Sequence, residues 1–213
     1  MVDYAWMSVA AKNPDFSFAI SPREVLDGPE PEKVQMLDAL RKTESGEPVP
    51  DDALPKSLFA WRGPHDESKP ITCKLPHFSS CGGFWILTAE AASVFRQFDL
   101  GGCKLHPIEI FMEDRQTPLP GQYFLLDFDS WKNVFVPDAS PGVKMMRGST
   151  TRRSPNLLTS DDAAVLSRDA LVGADIWWNP HVLAAFFLSD RLIQALKAAK
   201  VDKPFTLKRC LIA

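Results

Sequence analysis

The sequence lacks a strong net charge, a long apolar run and a dense set of cysteines, and each absence narrows its function. Its net charge is −3 and its sequence pI is near 5.8, whereas a general nucleic-acid binder is usually basic. The longest strongly apolar stretch, residues 182–188, is too short to cross a bilayer. No basic segment followed by an apolar run opens the chain. We therefore expect a cytoplasmic protein that binds neither nucleic acid nor membrane directly.

Cysteine is too scarce in 213 residues to form a disulfide scaffold, since there are four. Buried thiols are the simpler interpretation in a reducing compartment. Thiolate and imidazole would suit zinc, but the spacing differs from the usual knuckles and Pro76 prevents a helix that would bring the ligands together. The best candidates for zinc ligands are Cys73, His77 and Cys81, with Cys103 and His106 as additions. Because their spacing is unsuitable, we predict no metal site and no cofactor.

Catalytic motifs are also missing, because the sequence has no phosphate-binding glycine loop, no His-Glu-x-x-His pattern and no Gly-x-Ser-x-Gly pattern. Two carboxylate pairs remain, each able to share one face of a strand: Glu109 with Glu113, and Asp127 with Asp129. Such pairs could serve a metal-dependent hydrolase. The other interpretation is the solvated face of an antiparallel sheet. We favour the second, predict no catalytic residues and expect no enzyme activity.

What the sequence does contain is the composition of a globular protein, with 45% apolar and 24% charged residues. We predict a single domain over residues 1–213, divided into a proline-rich acidic N-terminal part (1–70) and a sheet-and-helix core (71–213). Nine of the 18 prolines fall in residues 1–70, and residues 13–70 carry 12 acidic and 7 basic side chains. The acidity of the protein therefore comes from its N-terminal third.

Local patterns predict an α+β fold, with a mostly antiparallel sheet and about three packed helices. A first helix should begin near Pro31 and bury Val34, Leu37 and Leu40. Another should cover residues 161–172, and the basic segment 142–156 between strands and helix should be an exposed loop. Strands are expected over residues 71–75, 83–87, 104–111, 122–128 and 132–136, with a hairpin turn at residues 129–130.

Two stretches share one strand–helix–strand plan. In the first, an apolar strand at residues 84–87 is followed by Thr88 as a helix N-cap, a helix ended by Gly101-Gly102, and the strand 104–111. In the second, an apolar strand at residues 185–188 precedes Ser189 as N-cap, and a final strand begins near Phe205. A duplicated unit explains this similarity, and so does chance.

The C-terminal stretch resembles a known family. Residues 186–196, Phe-Phe-Leu-Ser-Asp-Arg-Leu-Ile-Gln-Ala-Leu, are similar to the signature of bacterial immunity family eleven, formerly a domain of unknown function. The segments Asp175–Trp178 and Pro204–Leu207 also lie where that family has strands. The resemblance covers roughly the last 40 residues by sequence and residues 84–111 by plan alone.

The resemblance implies an immunity protein of a polymorphic-toxin system, such as one served by type VI secretion. Such a protein binds a cognate toxin or effector, here one acting in the cytoplasm, and neutralises it in the producing cell. An adaptor or chaperone for a secreted effector is the alternative among binding proteins. A basic toxin surface would suit an acidic partner, so we predict a toxin-binding surface in the N-terminal part. Its residues are Glu30, Glu32, Asp51, Asp52, Trp61, Asp66 and Glu67.

Overall fold

The chain has an α+β fold, which confirms the predicted class. A computed structural model describes residues 3–61 and 74–213. Three longer helices pack with mostly antiparallel sheets. The helices are α1 Arg23–Leu26, α2 Glu30–Ser45, α3 Ala89–Phe95 and α4 Asp190–Ala198. The strands are β1 Ala5–Ser8, β2 Ser17–Phe18, β3 Ile20–Ser21, β4 Ser57–Ala60, β5 Phe78–Cys81, β6 Phe84–Thr88, β7 Lys104–Phe111, β8 Tyr123–Asp127, β9 Lys144–Met145, β10 Arg153–Ser154, β11 Val165–Leu166, β12 Ile176–Trp178, β13 Phe186–Ser189 and β14 Leu207–Ile212.

Two sheets carry the fold of the described residues, and a short hairpin of β9 and β10 accompanies them. The seven-stranded sheet has the order β2-β5-β6-β8-β7-β4-β3, and the five-stranded sheet has the order β11-β14-β1-β13-β12. Pairing is antiparallel except between β2 and β5, β4 and β7, and β11 and β14. The N-terminal strand β1 lies in the centre of the second sheet, between β13 and β14.

The two strand–helix–strand stretches have the same topology. The order β5-β6-β8-β7-β4 in one sheet corresponds to β12-β13-β1-β14-β11 in the other, and each neighbouring pair has the same relative direction. Helix α3 contacts β6 and β8, helix α4 contacts the corresponding β13 and β1, and the two helices contact each other. We call these the first unit and the second unit. They differ in connection, because β8 follows β7 in the chain whereas β1 comes from the N-terminus.

Strand alternation divides the core into layers. Trp85 of β6 and Phe186 of β13 face the cluster that α3 and α4 share. The neighbouring Phe84 faces a second cluster, covered by residues of the N-terminal third, and Phe187 faces a third, covered by residues 134–185. Each sheet is therefore covered on both sides, which explains why these strands are continuously apolar.

Helix α2 confirms the prediction of a helix but contradicts the predicted buried face. Val34 is 60% exposed and Leu37 is 49% exposed, while Met36, Ala39 and Thr43 are buried. Of the predicted stripe, Val34 and Leu37 therefore point away from the sheet, while Leu40 is partly buried against the core cluster. The end of this helix is fixed by tertiary packing. Gly46 ends the helix with φ +74° and lies against the Trp178 ring, so closely that a Cβ there would come within 2.5 Å of the ring.

Several other local predictions were wrong. Residues 161–172 contain β11 and a 3-10 helix, Arg168–Leu171, instead of an α-helix, because β11 pairs with β14 and Asp162 adopts a positive φ. Residues 132–136 make one isolated bridge, Phe135 with Leu166, instead of a strand, so residues 129–130 form no hairpin turn. Helix α3 ends at Phe95, well before Gly101-Gly102. Of the predicted strand 71–75, residues 71–73 lie outside the described part and residues 74–75 are not in a strand.

Candidate functional site

Four of the predicted toxin-binding carboxylates lie at the start of α2 and in the 3-10 helix Asp51–Ala53. Glu32 and Asp52 line the same groove, a space of about 450 Å³ that also contacts Gln35 and Lys56. Glu30 lies two residues before Glu32 on α2 and has Lys33 at 3.7 Å. The structure therefore brings one predicted pair, Glu32 and Asp52, to a shared concave surface.

Asp51 points to a different neighbour. Its carboxylate accepts a hydrogen bond from Lys104 Nζ at 2.9 Å, and this contact lowers the pKa of the Asp51 carboxyl below its usual value. Lys104 begins β7, so the pair ties the N-terminal region to the first unit.

Trp61 lies apart from the carboxylates. It follows β4, its backbone N–H donates to the Ala19 carbonyl at 2.7 Å, and its side chain is 43% exposed. The groove contacts Ser57, at the other end of β4, about 13 Å away at strand spacing. Asp66 and Glu67 lie outside the described residues. Trp61 and the groove are thus separate features of the N-terminal region.

Val34 and Leu37 are exposed residues that sequence reasoning placed in the core. With Glu30 and Arg41 they occupy positions that share the outer face of α2. A signal was present, because Met36, Ala39 and Thr43 form an alternative stripe at helical spacing. The larger side chains of Val34 and Leu37 made the wrong stripe look more apolar.

The four carboxylates of the hydrolase alternative do not form one group, although Asp129, which is exposed, lies near enough to Asp127 to contribute to its raised pKa. In the sheet, Asp127 lies opposite Lys104, and Glu109 lies five residues further along β7, about 17 Å away. Glu113 follows the end of β7. Asp127 is also buried instead of lying on a solvated face, and its burial raises its pKa. The expectation of an exposed carboxylate pair is therefore wrong for Asp127.

The zinc candidates are equally dispersed. Cys81 belongs to the cluster on the outer face of the seven-stranded sheet, whereas Cys103 belongs to the cluster between the units. His77 Nδ1 shares a hydrogen bond of 2.9 Å with the Thr88 hydroxyl, and Cys73 lies outside the described part. Within residues 3–61 and 74–213, no group of three or more His, Cys, Asp or Glu side chains could hold a metal ion.

The described cysteines are buried free thiols, as predicted. Burial raises the pKa of the Cys81 thiol to about 12, and it does the same for Cys103. A thiol protonated at neutral pH is a poor nucleophile. These side chains therefore serve packing.

The segment that resembles the family signature forms an ionic network around the buried carboxylate of Asp175, whose partner Arg191 has a largely exposed side chain. The Asp175 side chain, 1% exposed, accepts hydrogen bonds from both Nε and Nη2 of Arg191, from the Ser189 hydroxyl and from the Asp99 backbone N–H. The Ser189 oxygen in turn accepts the Leu192 N–H at 3.2 Å and caps α4. These contacts join the end of the α3 region to the β13–α4 junction, so the signature residues stabilise the fold.

A cleft of about 610 Å³ lies beside this network, with Tyr4, Trp6, Leu171 and Gln194 in its wall. Its two arginines are engaged, since Arg191 pairs with Asp175 and Arg209 pairs with Asp162. Trp6 Nε1 donates to Asp190 at 2.8 Å. Because these polar groups already have protein partners, the cleft offers no evident reacting group.

No helix among the described residues combines the length and the apolarity that a membrane span requires. A search of curated proteins finds no match to this chain. A family model described as "Immunity protein family (Imm11)" matches residues 16–206. The match extends far beyond residues 175–207 and includes most of the N-terminal third, for which the sequence suggested no relative. The chain therefore belongs to the Immunity protein family (Imm11).

Proposed function

We propose that this protein binds a cognate antibacterial toxin and neutralises it in the cytoplasm of the producing cell. The family match over residues 16–206 is the observation that carries the proposal. Under this proposal the chain acts as a single domain and works through its surface, without catalysis. The toxin would be an effector of a bacterial competition system, such as type VI secretion.

The groove lined by Glu32 and Asp52, here called the acidic groove, is the proposed contact surface. Glu32 and Asp52 on its walls, with Glu30 beside it, offer negative charge in a concave site, and Val34 and Leu37 add exposed apolar area on α2. A basic side chain of a toxin could enter the groove while apolar residues cover α2. Opposite charges accelerate encounter and favour the correct partner, and central apolar contacts supply most of the affinity.

The protein has enough surface for such a complex. A standard interface uses about 800 Å² of each partner, and the accessible surface is 10984 Å². Trp61, Asp51 and the segment with Asp66 and Glu67 would enlarge the contact. No observation favours the hydrolase alternative, since no three of its carboxylates come together among the described residues. An adaptor would bind the effector and leave its activity intact, which the following experiment distinguishes.

The test is co-expression with each neighbouring gene product, followed by purification of the complex with the toxin that the chain neutralises. Glu32→Lys with Asp52→Lys should weaken toxin affinity by about 10- to 100-fold, because like charges would then meet across the interface. Trp61→Ala tests whether the contact extends along β4. The matched control reverses two exposed acids elsewhere, Asp138→Lys with Asp169→Lys, and should leave the affinity unchanged.

Failure of the wild-type chain to relieve any toxicity would refute the proposed function. A bound effector that keeps its full activity would identify an adaptor instead. If neutralisation occurs but the groove variant binds as tightly as wild type, the toxin contacts another surface. Equal free energies of unfolding for all variants would show that the changes act on binding.

A further inference from the structure

A second charged surface, of opposite sign, lies on the β9–β10 hairpin. Lys144, Arg147 and Arg152 are exposed there. Within the described residues, none of the three forms an ion pair. Residues 139–160 contain no Asp or Glu. The hairpin is therefore a concentrated patch of uncompensated positive charge on a protein whose net charge is negative.

Apolar side chains are interleaved with these cations. Met145 is 45% exposed and Met146 is 38% exposed, and Leu158 is 92% exposed on the neighbouring turn. That turn is held against the start of the hairpin, because the Thr159 hydroxyl donates to the Gly142 carbonyl at 3.3 Å. We call Lys144, Met145, Met146, Arg147, Arg152 and Leu158 the basic hairpin surface. Methionine and arginine are enriched at protein interfaces, while lysine is depleted.

The hairpin is anchored at its base. The Arg153 N–H donates to the His181 carbonyl at 2.8 Å, and the Leu183 N–H donates to the Arg153 carbonyl at 2.9 Å. The Arg153 guanidinium also donates to the Val143 carbonyl at 3.3 Å. At the tip, the Ser149 hydroxyl oxygen accepts the Arg152 N–H at 2.9 Å, and Gly148 supplies a positive φ of +78°. A surface fixed in this way loses little conformational entropy on binding.

We propose that the basic hairpin surface is a second recognition element, which binds an acidic surface of the toxin. The proposal rests on the proposed function and adds the charge of the partner surface. The methionines would pack on apolar area while the three cations pair with carboxylates at its rim. A protein surface fits better than nucleic acid, because the net charge of −3 opposes general polyanion binding. Val143, directly before the hairpin, and Met36 of α2 belong to different core clusters, so the hairpin and the groove are separate surfaces.

The experiment measures the affinity of purified chain for the toxin that it neutralises, at low and high salt. Charge reversal of the hairpin, Lys144→Glu with Arg147→Glu and Arg152→Glu, should weaken binding by about 100-fold and reduce its salt dependence. Replacement of the apolar part, Met145→Ser with Met146→Ser, should weaken binding by about 5-fold and leave the salt dependence unchanged.

The matched control reverses three exposed lysines at another site, Lys12→Glu with Lys200→Glu and Lys203→Glu, which changes the net charge by the same amount. It should stay within about 3-fold of wild type, as expected for charges outside an interface. Loss of affinity equal to that of the hairpin variant would overturn the proposal, since net charge alone would then explain the effect. Wild-type affinity in the hairpin variant would overturn it too.

Two further measurements test other occupants. Hairpin-dependent binding of a fluorescein-labelled duplex DNA would assign the surface to nucleic acid and overturn the proposal. Salt-sensitive dimerisation of the chain alone, abolished by hairpin reversal, would assign it to self-association and do the same. Failure of the inference is separable from failure of the proposed function. If the wild-type chain and the hairpin variant neutralise the toxin equally well, only the hairpin contact is refuted.

Discussion

The first and second units share their strand order, but each satisfies a buried aspartate in a different way. Asp175 of the second unit has Arg191 as an ion-pair partner and further donors from Ser189 and Asp99. Asp127 of the first unit is 4% exposed and accepts the Val49 N–H at 3.4 Å. No ion pair reaches Asp127 among the described residues.

The register of the two sheets places His77, before β5, at the position of Asp175, and His77 shares a hydrogen bond with the Thr88 hydroxyl where Asp175 bonds Ser189. This topology therefore does not require the ionic network. Lys104 lies opposite Asp127 in the sheet, yet its ammonium pairs with Asp51 from the N-terminal region. Lys104 of the first unit thus pairs with Asp51 in the N-terminal region, whereas Arg191 of the second unit pairs with Asp175 beside the start of α4. The family-signature residues Asp175, Ser189 and Arg191 therefore have a structural role, and binding residues should be sought elsewhere.

The largest expected effect on stability comes from removing the Asp175 carboxylate, which accepts the hydrogen bonds of the network in the second unit. Asp175→Ala should lower the free energy of unfolding by about 3 kcal/mol, because it leaves the Ser189 hydroxyl and the Asp99 N–H without their acceptor and frees Arg191. Urea unfolding measures this change. A loss below about 1 kcal/mol, the size of a single ordinary hydrogen bond, would show that the network contributes little and that the two units are equivalent.

The two helix starts give a smaller, paired comparison. Ser189→Ala should cost about 2 kcal/mol, since Ser189 caps α4 and also donates to Asp175. Thr88→Ala should cost less than about 1 kcal/mol, because Thr88 makes no side-chain cap hydrogen bond and its hydroxyl contacts only the side chains of His77 and of the exposed Glu90. The same urea titration on both variants gives the comparison. Equal losses would contradict the distinction between the units.

The smallest effect concerns Asp127. Burial raises its carboxyl pKa, so the folded state holds the proton more tightly than the unfolded state. Wild type should therefore lose stability from this group as pH rises through the ordinary aspartate pKa of about 3.9 to the raised value. Asp127→Asn keeps an acceptor for the Val49 N–H and cannot ionise. The free energy of unfolding of this variant should therefore increase relative to that of wild type as pH rises from about 3 to about 7. Unfolding free energies that differ by the same amount at both pH values would refute this assignment.

Local patterns in the sequence predicted much of the fold. The strand 104–111 has the observed bounds of β7, and β6, β8 and β13 lie within two residues of their predictions. Continuous runs of apolar and β-branched residues identify buried strands without tertiary information. The same approach failed at residues 161–172, where the pairing of β11 with β14 overrides a helical pattern. The proposed contact residues were chosen mainly by charge. Their grouping was decided by folding, which placed Glu32 and Asp52 in one groove and left Trp61 at a distance from it.

The sequence alone determined which segments could be strands and helices, since side-chain periodicity and N-capping residues act over a few neighbouring positions. Only the tertiary structure decided that β1 fills the centre of the second unit, that Asp175 meets Arg191, and that Val34 and Leu37 face outward. These outcomes depend on which distant segments pack together, and such packing is set by the burial of whole faces and by paired polar groups, which no local pattern specifies.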